Sequence, residues 1–200
     1  MNWLIDERTR KRVIRPRRSR RGNRDVAAAR PLRLRWQNAR VITVIAATVG
    51  DLASLLPRTK ALNAHEGISI ADDALEAALH HLLADASLGG AWLIHADRRC
   101  IGYAIVTFGY DLEFGGRDAY LTELWVDPAE RGRGAATAAL GLLAPALVTR
   151  GVRALHLQVR PDNPARRLYE RTGFVASPRL VMTRRLSGTV KDDPSNGRRK

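Results

Sequence analysis

The segment Val126-Asp127-Pro128-Ala129-Glu130-Arg131-Gly132-Arg133-Gly134-Ala135-Ala136-Thr137 constrains this chain more than any other. It joins an apolar, β-rich run, Tyr120 to Val126, to an Ala/Leu-rich helical run, Ala135 to Val148. So short a join makes a strand–loop–helix. The first N–H groups of such a helix have no partner within it and point outward. Gly132 and Gly134 let the backbone approach a ligand closely and take positive φ. The helix dipole, with Arg131 and Arg133, favours an anion there, most simply a pyrophosphate. Two common phosphate loops do not fit. No G-x-x-x-x-G-K-[ST] occurs, and no G-x-G-x-x-G follows an early strand with an acidic residue about twenty positions on.

Arg131-x-x-Gly134-x-Ala136 resembles the acyl-CoA loop of the GNAT superfamily of N-acetyltransferases. Downstream, Asn163-Pro164-Ala165-Arg166-Arg167-Leu168-Tyr169-Glu170-Arg171-Thr172-Gly173-Phe174 resembles that family's Asn, Ala, Leu-Tyr and Gly-Phe segment, in the right order. The resemblance spans roughly Arg40 to Leu186. Within it, Gly109 to Asp118 is similar to a loop of many members that act on small amines. The resemblance implies an α/β (α+β) fold. Its sheet would be mixed, mostly antiparallel and six- to seven-stranded, splayed between the fourth and fifth strands and flanked by about four helices. It also implies acetyl-CoA-dependent transfer to a primary amine.

The chain's own patterns give the same element order. Arg40 to Ala47 is β-branched and apolar, a first strand. A helix opens near Asp51, with Pro57 set against its continuity, and a second runs from Ala71 to Ala84. Ala91–Ala96 and Cys100–Gly109 form a hairpin about Asp97-Arg98, and Tyr120–Val126 is the next strand. The helix from Gly134 to Thr149 contains Pro145, where a kink or an early end is expected. Val152–Arg160 is a strand, Pro164–Arg171 a helix and Phe174–Leu186 a last strand.

Charge divides the chain unevenly. Its net +14 sits mostly in residues 1–40, which hold 14 basic and 3 acidic side chains; residues 41–186 hold 16 and 15. Residues 1–39 therefore read as a disordered basic arm, 40–186 as the acetyltransferase domain and 187–200 as a disordered tail. Three readings of the arm are open: a passive extension, a contact with nucleic acid or another anionic surface, and an organelle transit peptide. The last is weakened by Asp6, Glu7 and Asp25. No run of eighteen apolar residues occurs, so no membrane span is expected. The lone Cys100 excludes an internal disulfide, no Cys/His spacing suits a metal, and a reducing cytoplasm is the natural setting. The resemblance also makes a homodimer an expectation.

The resemblance assigns Leu124, Trp125 and Val126 to backbone contacts with a pantetheine arm, across a splay that a bulge commonly produces. An N–H there would polarise a thioester carbonyl. The loop Arg131, Gly132, Arg133, Gly134, Ala135 and Ala136 would take the pyrophosphate. Asn163 has two readings, a hydrogen bond to the cofactor and a helix cap before Pro164. Tyr169 is the candidate general acid for the leaving thiolate, or else a packed aromatic. A charged amine must first lose a proton, and Glu123 is the candidate base, or else a structural carboxylate. Alternation puts Glu123 on one face with Trp125 and Leu121. His65, Glu66, Asp111, Glu113 and Asp118 border the expected acceptor cleft, where acids attract a cation; solvated loop charge is their other reading. His80 and His81 read as structural.

These residues point to direct transfer to a small amine, such as a polyamine, an amino-acid-like molecule or a drug. Two rivals stand beside it. One is an acetyltransferase for a protein amine or an aminoacyl-tRNA, tethered by the basic arm. The other is a non-catalytic acyl-CoA-binding domain.

Overall fold

The computed structural model describes the backbone of residues 32–35, then residues 40–184 and 186. Six strands form one sheet, side by side in chain order: β1 (Leu32–Arg35), β2 (Val41–Ala46), β3 (Gly89–Ala96), β4 (Arg99–Asp111), β5 (Gly116–Val126) and β6 (Ala154–His156). Helices α1 (Leu52–Glu66) and α2 (Asp72–Ala84) connect β2 to β3. Helix α3 (Ala135–Thr149) connects β5 to β6, and α4 (Arg166–Arg171) follows β6. Neighbouring strands are antiparallel except β5 and β6, which are parallel. This is the mixed, mostly antiparallel sheet with helices that the GNAT resemblance implies. Among the described residues no helix is long and apolar enough to cross a membrane.

Both faces of the sheet are covered, which is why its central strands are apolar runs rather than alternating ones. On one face Leu55 of α1 and Leu75 and Leu79 of α2 pack on Leu93, Tyr103, Ile105 and Trp125. On the other, Leu140, Leu143 and Leu147 of α3 pack on Trp92, Ile94, Val106 and Leu121. The β3–β4 hairpin turns at Asp97 and Arg98, where φ is 50° and 76°. Two left-handed residues in a row match the strand twist.

Several expectations change. Residues 32–35, placed in the arm, form a strand whose Leu32 to Arg35 pair with Val44 to Val41. The folded unit therefore begins before Arg40. The rest of 1–39 and the tail 187–200 lie outside the described residues. The expected strand Phe174–Leu186 does not form: its described residues carry no strand, and Val175 and Met182 are each 92% exposed. The strand expected over Val152–Arg160 shrinks to Ala154–His156.

Neither proline ends its helix. Pro57 lies inside α1, and both it and Ala53, whose carbonyl loses its N–H donor, are exposed to water. Pro145 and Gly141, whose carbonyl loses its N–H donor, both sit on the exposed side of α3, where water reaches.

Glu130 ties the loop before α3 to the sheet. Its buried carboxylate accepts from Arg40 (2.6 Å), Arg133 (3.4 Å) and Arg99. Arg40 precedes β2 and Arg99 opens β4, so one side chain holds two strands against the loop. The arginines are half exposed and stay hydrated when the partner is lost, which limits the cost. Glu130→Ala is expected to destabilise by about 1–2 kcal/mol. Thermal unfolding would show it as a Tm lower by about 2–8 °C.

Candidate active site

The site exists because β5 has one residue more than β4 can pair. Ile105 pairs with Glu123 and Val106 with Leu121, so Thr122 forms a bulge. Its Oγ1 donates to the Ile105 carbonyl at 3.3 Å. The bulge reverses the alternation of side chains. Leu121 packs on the α3 side, whereas Trp125 packs on the α1 side and Glu123 bonds to Tyr103 there. Leu121 therefore does not share the face of Glu123 and Trp125, as plain alternation predicts.

Beside the bulge the sheet opens. β6 pairs with β5 only from Asp118 to Tyr120, against Ala154 to His156. Beyond that point Thr122–Val126 and Gln158–Arg160 line opposite sides of a cleft of about 950 Å³. The splay lies between the two strands the resemblance named, now the fifth and sixth because β1 adds one. Leu124, Trp125 and Val126 line the cleft along the part of β5 that β6 leaves uncovered, which gives an extended amide-bearing arm room to run beside the strand.

One end of the cleft is the N-terminus of α3. Gly132 (φ 73°) and Gly134 (φ 80°) are both left-handed, a conformation other residues adopt at a cost. Gly134 caps α3 without any side-chain bond, and Ala135, Ala136 and Thr137 of the first turn line the cleft. Their N–H groups and the helix dipole fit a diphosphate. Arg131 lies over the Trp125 ring (4.4 Å) and donates from Nε to the Val126 carbonyl (2.9 Å). Arg133 is the exception in this loop: its guanidinium turns to Glu130, and it is not among the residues lining the cleft.

The walls carry the ionisable groups. Glu123 lines the cleft from β5 and accepts a hydrogen bond from the Tyr103 hydroxyl at 2.5 Å. Burial raises its pKa, and the Tyr103 bond partly offsets that. Tyr169 lines it from α4, half-buried, with its ring edge-on to Phe174 at 5.8 Å. Burial first, then the Glu66 carboxylate, raise the Tyr169 pKa, so the phenol keeps its proton through the neutral range. His65 and Glu66 reach the cleft from the end of α1, His65 edge-on to Trp125 with centroids 6.1 Å apart. Asn163 lines the cleft while its Oδ1 accepts from the Ala165 N–H (2.9 Å) in a local turn ahead of α4, whose N-cap is Ala165 rather than Asn163.

The sequence model of the acetyltransferase (GNAT) family matches residues 59–174. The chain belongs to the GNAT family. It is an acyl-CoA-dependent N-acetyltransferase. Solved structures agree on the GNAT fold. An integron cassette protein from the mobile metagenome of the Cole Harbour salt marsh is 30% identical, with a TM-score of 0.65 over 72% of this chain and 91% of that one. A predicted acetyltransferase from Clostridium acetobutylicum, solved with acetyl-CoA, is 23% identical, with a TM-score of 0.61 over 72% and 96%. An aminoglycoside N-acetyltransferase in complex with CoA is 19% identical, with a TM-score of 0.63 over 75% and 98%. None of the curated protein sequences matches.

Three of the acids expected at the acceptor side of this GNAT domain lie elsewhere. Asp118 is buried in β5, its carboxylate over Gly109, where an added Cβ would meet Oδ1 at 2.5 Å. Its Oδ2 lies 3.7 Å from Nε2 of His156. Glu113, in the β4–β5 turn, pairs with Arg179 at 2.6 Å, and Asp111 accepts from the Glu113 N–H. None of the three lines the cleft. Sequence reasoning also missed Tyr103. The signal was there: a tyrosine in the otherwise apolar run Ile101–Val106 needs a partner for its hydroxyl once buried.

Proposed function

We propose that this GNAT enzyme acetylates a primary amine of a small molecule, with both substrates bound together and the acetyl group passing directly between them. One observation carries the reading: Glu123 and Tyr169 reach a single open cleft from β5 and from α4. Bound acetyl-CoA supplies the activated acetyl group. The α3 N-terminus would hold the diphosphate, with Asn163 beside it, and the β5 edge at Leu124–Val126 the pantetheine amides. An N–H of that edge polarises the thioester carbonyl. Glu123 takes a proton from the acceptor ammonium, and burial has already moved its basicity toward the working pH. The freed amine forms the C–N bond as the C–S bond breaks, and the second proton that its nitrogen sheds on becoming an amide restores the Tyr169 phenol, directly or through water. Tyr169, kept protonated by burial and Glu66, gives its proton to the departing sulfur. Holding both partners in one cleft supplies the orientation such a transfer needs.

A small cationic acceptor suits Glu66 and Glu123, since the third acid lining the cleft, Glu130, is paired with Arg40, Arg99 and Arg133. The aminoglycoside acetyltransferase among the solved structures offers a substrate class to try first. The test is thiol release from acetyl-CoA against polyamines, amino acids, aminoglycosides and a lysine-bearing peptide. Turnover on one small amine is the expected result. Turnover on the peptide alone overturns it and favours a macromolecular acceptor. With the acceptor found, kcat/KM is expected to fall on its acidic side at a pH above the ordinary glutamate value. The sign follows from the direction of the Glu123 shift: a base of raised pKa is lost to protonation earlier as pH drops.

A further inference from the structure

We propose that Tyr103 is a positioning residue for Glu123, holding its carboxylate on the cleft wall and keeping it ionised for the acceptor's proton. This rests on the reading of Glu123 as the proton acceptor. Tyr103 is fully buried on β4, packed among Leu55, Leu75, Leu93 and Ile105. A phenylalanine would fill that core position without a polar atom. The hydroxyl instead donates to Glu123 Oε2, its one partner among the described residues. Two features of the sheet bring the pair together. Tyr103 sits opposite Trp125 in the ladder, and the bulge at Thr122 turns Glu123 onto the same face. Without the bulge Glu123 would point toward α3 and away from the phenol.

The bond acts on both orientation and charge. It ties one carboxylate oxygen to the core, which restricts the rotamers of a side chain that also lines the cleft. It also favours the ionised form against burial. Tyr103 stays a donor throughout, because burial and then the Glu123 charge push its own pKa far up. Other charged groups face the same space: His65 and Glu66 from α1, Glu130 and Arg131 from the loop, Arg160 beyond β6, and Tyr169 and Arg171 from α4. None of them is hydrogen-bonded to Glu123 among the described contacts, and Tyr103→Phe leaves all of them in place.

The experiment is a titration of the Glu123 carboxyl in the full chain labelled with carbon-13 glutamate, its resonance identified by loss in Glu123→Gln. Tyr103→Phe is expected to raise the midpoint by about one pH unit, the size of one hydrogen bond to a charged group. The acidic limb of kcat/KM for the amine selected above should move with it, while KM for acetyl-CoA stays. In a Glu123→Gln background Tyr103→Phe should add no further loss. If Tyr103→Phe does not fold, 3-fluorotyrosine at position 103, a stronger donor of nearly the same shape, should move the midpoint down instead. An unmoved midpoint with Glu123→Gln inactive overturns the role of Tyr103 alone. Full turnover in Glu123→Gln overturns the reading of Glu123 itself. If the panel selects no amine, the carboxyl titration alone decides about Tyr103.

Discussion

Replacing Tyr169 by phenylalanine is expected to lower kcat by about 10²–10³-fold while acetyl-CoA affinity holds. The substitution removes one hydroxyl and little else. The ring keeps its edge-on contact with Phe174 and its packing against the α3-side core. The α3 N-terminus, where the diphosphate would be held, keeps its own N–H groups. What is lost is the proton for the departing sulfur, and a general acid contributes a factor of that size. Steady-state thiol release and calorimetric titration with acetyl-CoA separate the two effects. A fall in affinity with kcat unchanged would make Tyr169 a binding residue. No change in either would return it to the packed aromatic that the sequence also allowed. The raised pKa gives a further sign: the phenol does not deprotonate at the ordinary tyrosine pH, so loss of this acid is not what ends activity near neutrality.

The parts of the site legible in the sequence are those that local chemistry fixes. A glycine pair ahead of an Ala/Leu-rich run forces the loop and helix start, and Gly132 and Gly134 both take the left-handed φ that this needs. Asn163, Tyr169 and Glu123 all reach the cleft. What stayed hidden depends on partners far along the chain. The Leu-Arg-Leu-Arg alternation of β1 is a strand signal with a period of two, but it sits inside a charge run that reads as unfolded. Phe174–Leu186 has strand-like letters, yet its described residues pair with no strand, and propensity alone does not supply the pairing. The bulge at Thr122 leaves no mark in composition, yet it decides which face Glu123 occupies. The loop acids misled for the same reason. Proximity in sequence to the splayed strand says nothing of whether Arg179, His156 or open water receives the charge.

Gly134→Asp is expected to raise the Kd for acetyl-CoA by about 10²-fold or more, equivalent to about 2.7 kcal/mol. Two effects act together. At φ 80° a side chain strains the backbone, and a non-glycine residue there costs about 1–2 kcal/mol unless the loop shifts. A shift would turn the N–H groups of Ala135 and Ala136 away from the cleft that they line. If the loop holds, a carboxylate sits at the helix N-terminus where the diphosphate belongs, and two anions compete for one set of donors. Gly141→Ala provides the contrast within the same helix. It lies on the exposed side of α3, and an added Cβ meets nothing within 4 Å. That change should stabilise the helix by up to about 1 kcal/mol and leave acetyl-CoA affinity alone. Calorimetry on both variants reads the difference. Wild-type affinity in Gly134→Asp would mean that the diphosphate is held elsewhere than at α3. Loss in both variants would mean that α3 as a whole, rather than its first turn, governs binding.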